Sequence, residues 1–133
     1  ENNADAGFDT NLNYNNNYRF YRVAEAYLNA AELLLETGGD AGLAKDYVNK
    51  IRRRAGIAEL GAVTLDDVIN ERHLEFVGEG KRYFDLVRTG KAATVLVPDS
   101  YGYRTNSWTE SKKYIPIAQA ELDSDPALVQ NNY

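Results

Sequence analysis

Residues 71–91 read Glu-Arg-His-Leu-Glu-Phe-Val-Gly-Glu-Gly-Lys-Arg-Tyr-Phe-Asp-Leu-Val-Arg-Thr-Gly-Lys. Apolar Leu74, Phe76, Val77, Tyr83, Phe84, Leu86 and Val87 are threaded through charges of both signs, and Gly78 and Gly80 interrupt the helical period between them. The pattern predicts two short helices meeting at a tight glycine corner, pinned by arginines and carboxylates. It holds no nucleophile beside a base and no metal-ligand spacing. Gly78-Glu79-Gly80-Lys81 invites comparison with a phosphate loop. That motif needs glycine at position 75 and Ser or Thr at position 82, where Glu75 and Arg82 stand. No predicted strand precedes it, so a dinucleotide site fails as well.

Upstream of the corner, Phe20, Val23, Ala24, Tyr27, Leu28, Ala31, Leu34 and Leu35 recur at steps of three and four, predicting an amphipathic helix. Gly38-Gly39 supplies a left-handed stop, and Asp40 is placed to cap a second helix through Leu43, Ala44, Tyr47, Val48 and Ile51. That helix ends in Arg52-Arg53-Arg54, cations that complement the C-terminal end of the macrodipole. The two helices are expected to form an antiparallel hairpin. A third helix starts at Thr64-Leu65-Asp66-Asp67, a capping box with Asp in place of Glu, and runs to the corner.

Downstream, a fourth short helix carries Tyr83, Phe84 and Val87 and stops at Gly90. Ala92 to Val97 reads equally as a helix end or a strand. Pro98 to Lys112 reads as loop. Tyr114-Ile115-Pro116-Ile117 is extended, since Pro116 disfavours helix at the residue before it. Ala118 to Leu122 allows one helical turn, and Asp125 to Tyr133 is expected to lie irregularly over the helices. Residues 1–17, rich in Asn and Asp without periodicity, read as an extended lead-in, and residues 18–133 as one helical domain. The fold class is all-α: a helical hairpin, two further helices and an irregular C-terminal tail.

A length of 133 residues fits one domain that buries roughly two-thirds of its unfolded surface. Fifteen basic against twenty acidic residues give a net charge of −5, which disfavours general nucleic-acid binding despite the arginine run. No apolar run approaches the ~20 residues that span a bilayer. The absence of cysteine excludes disulfides, thiolate chemistry and cysteine-based zinc sites within these residues. The chain opens with Glu1-Asn2-Asn3 and contains no Met, so a piece of something longer, or a processed form, is expected.

The carboxylates near the corner, Glu71, Glu75, Glu79 and Asp85, raise the question of paired acid–base chemistry as in a glycosidase. The spacings Glu79–Arg82 and Asp85–Arg88 match ordinary helix ion pairs, and structural pairing is the favoured reading. His73, the only histidine, has no second His for a metal site and no nucleophile to activate. No catalytic residue, metal or cofactor is expected. Tyr101, Tyr103 and Trp108 form the one constellation suited to a ligand, because aromatic faces on loops stack against sugar rings. The competing role for Trp108 is to anchor its loop to the helical core.

Four stretches carry a resemblance to a known family. Arg22 to Glu32 (RVAEAYLNAAE), Val48 to Gly56 (VNKIRRRAG), Thr64 to Gly90, and Tyr114 to Leu122 followed by Asp125-Pro126 and Gln130-Asn131-Asn132-Tyr133 resemble, in order, signature segments of the SusD/RagB family. Together they cover nearly everything from Tyr18 onward. The sequence departs where Ala118 and Asn132 replace prolines of the family pattern, and where the family's lipid-bearing cysteine is not among these residues.

The resemblance implies a surface lipoprotein of a Bacteroidetes outer membrane, partnered with a SusC-type TonB-dependent transporter. Such a protein captures oligosaccharide or peptide without cleaving it. It also implies that the hairpin is a tetratricopeptide-like helix pair. On this reading Arg72, Glu75, Arg82, Phe84 and Asp85 hold the two corner helices together. The matching motifs identify no ligand residue and the family's glycan contacts lie mainly upstream, so Tyr101, Tyr103 and Trp108 stand as ligand contacts on their aromatic loop character. Two rival functions are a tetratricopeptide-like protein-interaction module without glycan binding and a glycan-active enzyme using Glu71 and Glu75.

Overall fold

A computed structural model describes residues 20–132, all helix, turn and extended loop, with no strand among the described residues. The expected lead-in over residues 1–17 lies outside them. The helices are α1 (Val23–Glu36), α2 (Ala41–Ala55), α3 (Leu65–Glu75), α4 (Arg82–Arg88), α5 (Ala92–Val95) and α6 (Gln119–Ser124), with a 3-10 turn over Glu110–Lys113. The chain divides into two compact units between Glu75 and Phe76.

In the first unit α1 packs along α2 as the predicted hairpin, and α3 lies against both. The start of α2 is fixed by Asp40, whose carboxylate accepts from the backbone N–H groups of Gly42 at 2.8 Å and Leu43 at 3.1 Å. Its end is fixed by Gly56, which takes φ +71°, a conformation that costs glycine little and other residues more. Thr64 and Asp67 form the predicted box at α3. The Thr64 N–H and hydroxyl donate to Asp67 Oδ2 at 2.8 and 2.7 Å, and the Asp67 N–H returns a bond to the Thr64 hydroxyl at 3.2 Å.

Leu28, Ala31, Ala44, Val48, Ile51, Val68 and Ile69 fill the core of this unit. The buried face of α1 is rotated from the sequence expectation. Phe20 and Val23 are exposed, whereas Glu25 and Glu32 are buried beside Leu28 and Ala31. The reason for Glu25 is a charge arriving from another helix: buried Arg72 on α3 lies 3.8 Å from Glu25 and donates to Asn29 Oδ1 at 2.5 Å. Tyr27 and Tyr47 stack at 5.4 Å, with the Lys50 ammonium 4.8 Å from the Tyr27 ring centre.

The second unit opens on the glycine corner. Gly78 and Gly80 take φ of +80° and +71°, as the broken period predicts. Buried Leu86 and Ala92 join α4 to α5, so the ambiguous stretch after Gly90 is helix. The tail over residues 114–132 is folded back on itself chiefly by Gln130, with Asn131 adding a longer bond to the Ile115 carbonyl at 3.4 Å. The Gln130 amide accepts from the Ile117 N–H at 3.0 Å and donates to the Ile117 carbonyl at 2.9 Å, pairing with that backbone as a neighbouring strand does. The closing signature that resembles the family is therefore a structural clasp.

Candidate functional site

The loop after α5 is built around Asp99. Its carboxylate accepts from the N–H groups of Tyr101 at 2.9 Å, Tyr103 at 3.2 Å and Arg104 at 2.6 Å, and its own N–H donates to the Arg104 carbonyl at 3.0 Å. Slight burial pushes the Asp99 carboxyl up, but the donors at Arg104, Tyr103, Tyr101 and Gly102 outweigh it and hold the group below the ordinary aspartate range. Gly102 turns the tip with φ +79°. The consequence is a small loop whose two tyrosines face water, Tyr101 84% and Tyr103 93% exposed, with ring centres 6.4 Å apart. Exposed aromatic pairs leave apolar faces unsatisfied while the hydroxyls stay hydrated, and a sugar ring offers the complementary C–H face.

Trp108 is placed differently. It is half-buried. Its backbone N–H donates to the Leu96 carbonyl at 2.9 Å, and its indole N–H lies 3.2 Å from the Tyr83 hydroxyl on α4. That hydroxyl donates to the Lys112 carbonyl, while the Lys112 ammonium reaches back to the Ser107 carbonyl at 2.8 Å. The structure thus brings Tyr101 and Tyr103 together and gives Trp108 the anchoring contacts weighed against its ligand role. Trp108 also lines a recess of about 270 Å³ shared with Val87, Arg88, Ala93, Glu110 and Lys113.

Three of the corner carboxylates, Glu71, Glu75 and Asp85, are paired with arginines. Glu71, buried, accepts from Arg52 at 2.7 Å. Glu75 takes Arg22 and also Arg54, the latter at 2.5 and 2.6 Å, with Arg22 donating in addition to the Glu75 carbonyl at 2.6 Å. Arg52–Arg54 therefore act less as dipole complements than as side-chain tethers, since Arg53 also bonds Glu59 at 2.8 Å. Arg72 and Glu75 tie α3 to α1 and to the end of α2. In the second unit Asp85 is buried and accepts from Arg88 at 3.0 and 2.8 Å, the pair its spacing predicts. Arg82 is half-buried and Phe84 is 58% exposed. His73 is exposed, and no group of His, Cys, Asp or Glu among the described residues could hold a metal ion.

A second recess, about 280 Å³, lies at the start of α1 between Arg22, Tyr27, Lys50 and Arg54. Its cations are engaged, Arg22 and Arg54 on Glu75 and Lys50 over the Tyr27 and Tyr47 rings. A site whose polar groups already have partners gains little from a polar ligand, so the Trp108 side of the chain is the better candidate.

A model of the SusD family matches residues 2–133. The chain belongs to the SusD family. Among solved structures, surface glycan-binding protein A from Bacteroides uniformis is 67% identical, with a TM-score of 0.84 over 96% of this chain and 30% of its own. Surface glycan-binding protein A from Bacteroides thetaiotaomicron, in complex with laminarihexaose, is 61% identical with a TM-score of 0.79, over 90% of this chain and 26% of its own. Starch-binding protein SusD of Bacteroides thetaiotaomicron is 34% identical over 84% of this chain and 20% of its own length. The chain spans less than a third of each of these proteins. Membership accounts for the all-helical fold of this SusD-family chain and for the order of the signature segments. No helix among the described residues is long and apolar enough to cross a membrane.

Sequence reasoning missed Asp99, Glu110 and Lys113. For Asp99 a signal was present, because Asp followed by Ser-Tyr-Gly is a turn-forming pattern in which the carboxylate bonds backbone N–H groups ahead of it. For Glu110 and Lys113 no local signal exists, since their place beside Trp108 depends on α4 and α5 packing behind the loop.

Proposed function

We propose that this chain is part of a non-catalytic glycan-binding protein of the outer-membrane surface, one that captures oligosaccharide for import with a SusC-type TonB-dependent transporter. The observation that supports this most is the 61% identity and 0.79 TM-score to a protein solved with laminarihexaose bound. Tyr101, Tyr103 and Trp108 are the contacts we assign to glycan, the exposed tyrosines offering stacking faces and Trp108 a fixed wall. Arg72, Glu75, Arg82, Phe84 and Asp85 serve architecture on this reading, consistent with the guanidinium–carboxylate pairs at Arg72, Glu75 and Asp85.

Isothermal calorimetry of the chain against laminarihexaose and maltohexaose, with product analysis of the same mixtures, tests the proposal. Saturable heat for one of them with intact sugar recovered is the expected result. Cleaved sugar, or no heat while a peptide panel binds, overturns it in favour of an enzyme or a protein-interaction module.

A further inference from the structure

The recess beside Trp108 has a composition that the loop tyrosines lack. Trp108 gives it an apolar wall, Val87 and Ala93 extend that wall, and Glu110 and Lys113 stand at it with opposite charges. The Arg88 guanidinium, also at the recess, is already matched by the buried Asp85 carboxylate at 2.8 Å. Among the described residues no ion pair or side-chain hydrogen bond occupies the Glu110 carboxylate or the Lys113 ammonium, whose one ring contact is Tyr114 at 5.8 Å. The site therefore offers an acceptor and a donor without a local charge excess: Arg88 cancels Asp85, and Lys113 cancels Glu110. An anionic sugar or a phosphate finds no net attraction there. A purely apolar ligand would strip water from Glu110 and Lys113 without replacing its hydrogen bonds. About 270 Å³ lies just below the range of pockets for drug-sized ligands, which is room for one ring.

We infer that this recess is a subsite for a single neutral hexose unit of the glycan. The sugar's C–H face lies on Trp108, its hydroxyls donate to Glu110 and accept from Lys113, and the chain continues outward. This assignment rests on the glycan-binding reading above and names a place within it.

The chain contains one tryptophan among ten tyrosines, so emission excited selectively at the indole reports on this recess. Laminarihexaose is titrated into the parent chain, Glu110→Gln and Lys113→Met, following tryptophan emission and calorimetric heat together. Both substitutions fall on exposed side chains, and circular dichroism checks that the fold is kept. The expected result is an emission change with the same midpoint as the heat, and affinity about fivefold weaker in each variant, since Glu110→Gln takes the charge from its hydrogen bond and Lys113→Met removes the donor. Heat with silent emission, or variants that bind as the parent does, overturns the subsite and leaves the glycan-binding reading standing. Absence of heat with laminarihexaose and maltohexaose alike overturns both.

Discussion

The Tyr83 hydroxyl sits between two loop groups: it receives the Trp108 indole N–H at 3.2 Å and donates to the Lys112 carbonyl. One side chain on α4 therefore fixes the position of the tryptophan and the 3-10 turn that follows it. Tyr83→Phe keeps the ring and deletes both bonds, leaving the Lys112 carbonyl and the indole N–H without this partner. Each such bond is worth about 1 kcal/mol, so the variant should lose about 1–2 kcal/mol in urea unfolding. The emission of Trp108 should shift to the red as water reaches the indole. An unchanged spectrum and midpoint would show that the bridge does not hold the loop.

Glu71 and Glu75, the two carboxylates that acid–base chemistry on a glycan would use, are both bonded to arginines. A general acid or nucleophile needs a face open to substrate, whereas Glu71 has only 4% of its side chain exposed and is bonded to Arg52. Glu71→Ala leaves Arg52 facing a lost partner. Full loss of one member of a buried pair costs 3–5 kcal/mol, and with Arg52 partly exposed about 2 kcal/mol is expected. Denaturant unfolding reads this, while laminarihexaose affinity should stay at the parental value. A stable Glu71→Ala chain that has lost an activity on glycan would reverse the assignment.

These long pairings mark the boundary of what the amino-acid string discloses. Elements set by neighbours in sequence were legible: the hairpin from its three-and-four period, the Asp40 cap, the corner glycines, and Asp85–Arg88 from its helical spacing. Arg22 and Glu75 are 53 residues apart, and nothing in the chain between them announces that α3 returns to the start of α1. The burial of Glu25 follows from the same return, because Arg72 makes a carboxylate acceptable on a core face. The tyrosine loop was legible as aromatic and exposed. The recess was not, since it exists only once α4, α5 and the 3-10 turn are in place.

The box at α3 makes a prediction in pH. The side-chain and backbone bonds from Thr64, with a smaller contribution from Arg52, hold the Asp67 carboxyl below its ordinary value against a modest desolvation. A depressed folded-state value means the ionised carboxylate stabilises the fold. That contribution is complete above the unfolded value of about 4 and is lost as pH falls through the lower folded value. Asp67→Asn should therefore be less stable than the parent by a margin that is constant from pH 7 to about pH 5 and closes below about pH 4. At neutral pH Thr64→Ala should cost about 1 kcal/mol, the usual worth of an N-cap. Parallel unfolding curves for parent and Asp67→Asn at every pH would refute the box as the origin of the shift.

Asp99 permits the sharpest separation of binding from stability. It sits at the surface, so the fold at large does not depend on it, yet three N–H groups of the tyrosine loop converge on its carboxylate. Asp99→Ala should lower the thermal midpoint by only a few degrees, because the bonds it removes are confined to one exposed loop and leave the packed helices untouched. It should also speed amide exchange at Tyr101, Tyr103 and Arg104, whose protecting acceptor is gone. If the tyrosine pair contacts glycan, loop disorder must be reversed on binding and affinity falls, since ordering side chains and backbone opposes association. The carboxyl is held below the ordinary aspartate range, so the loop should stay ordered down to about pH 4 and loosen only in stronger acid. Faster exchange at these amides with glycan affinity untouched would remove Tyr101 and Tyr103 from the binding surface and leave Trp108 as the remaining aromatic contact.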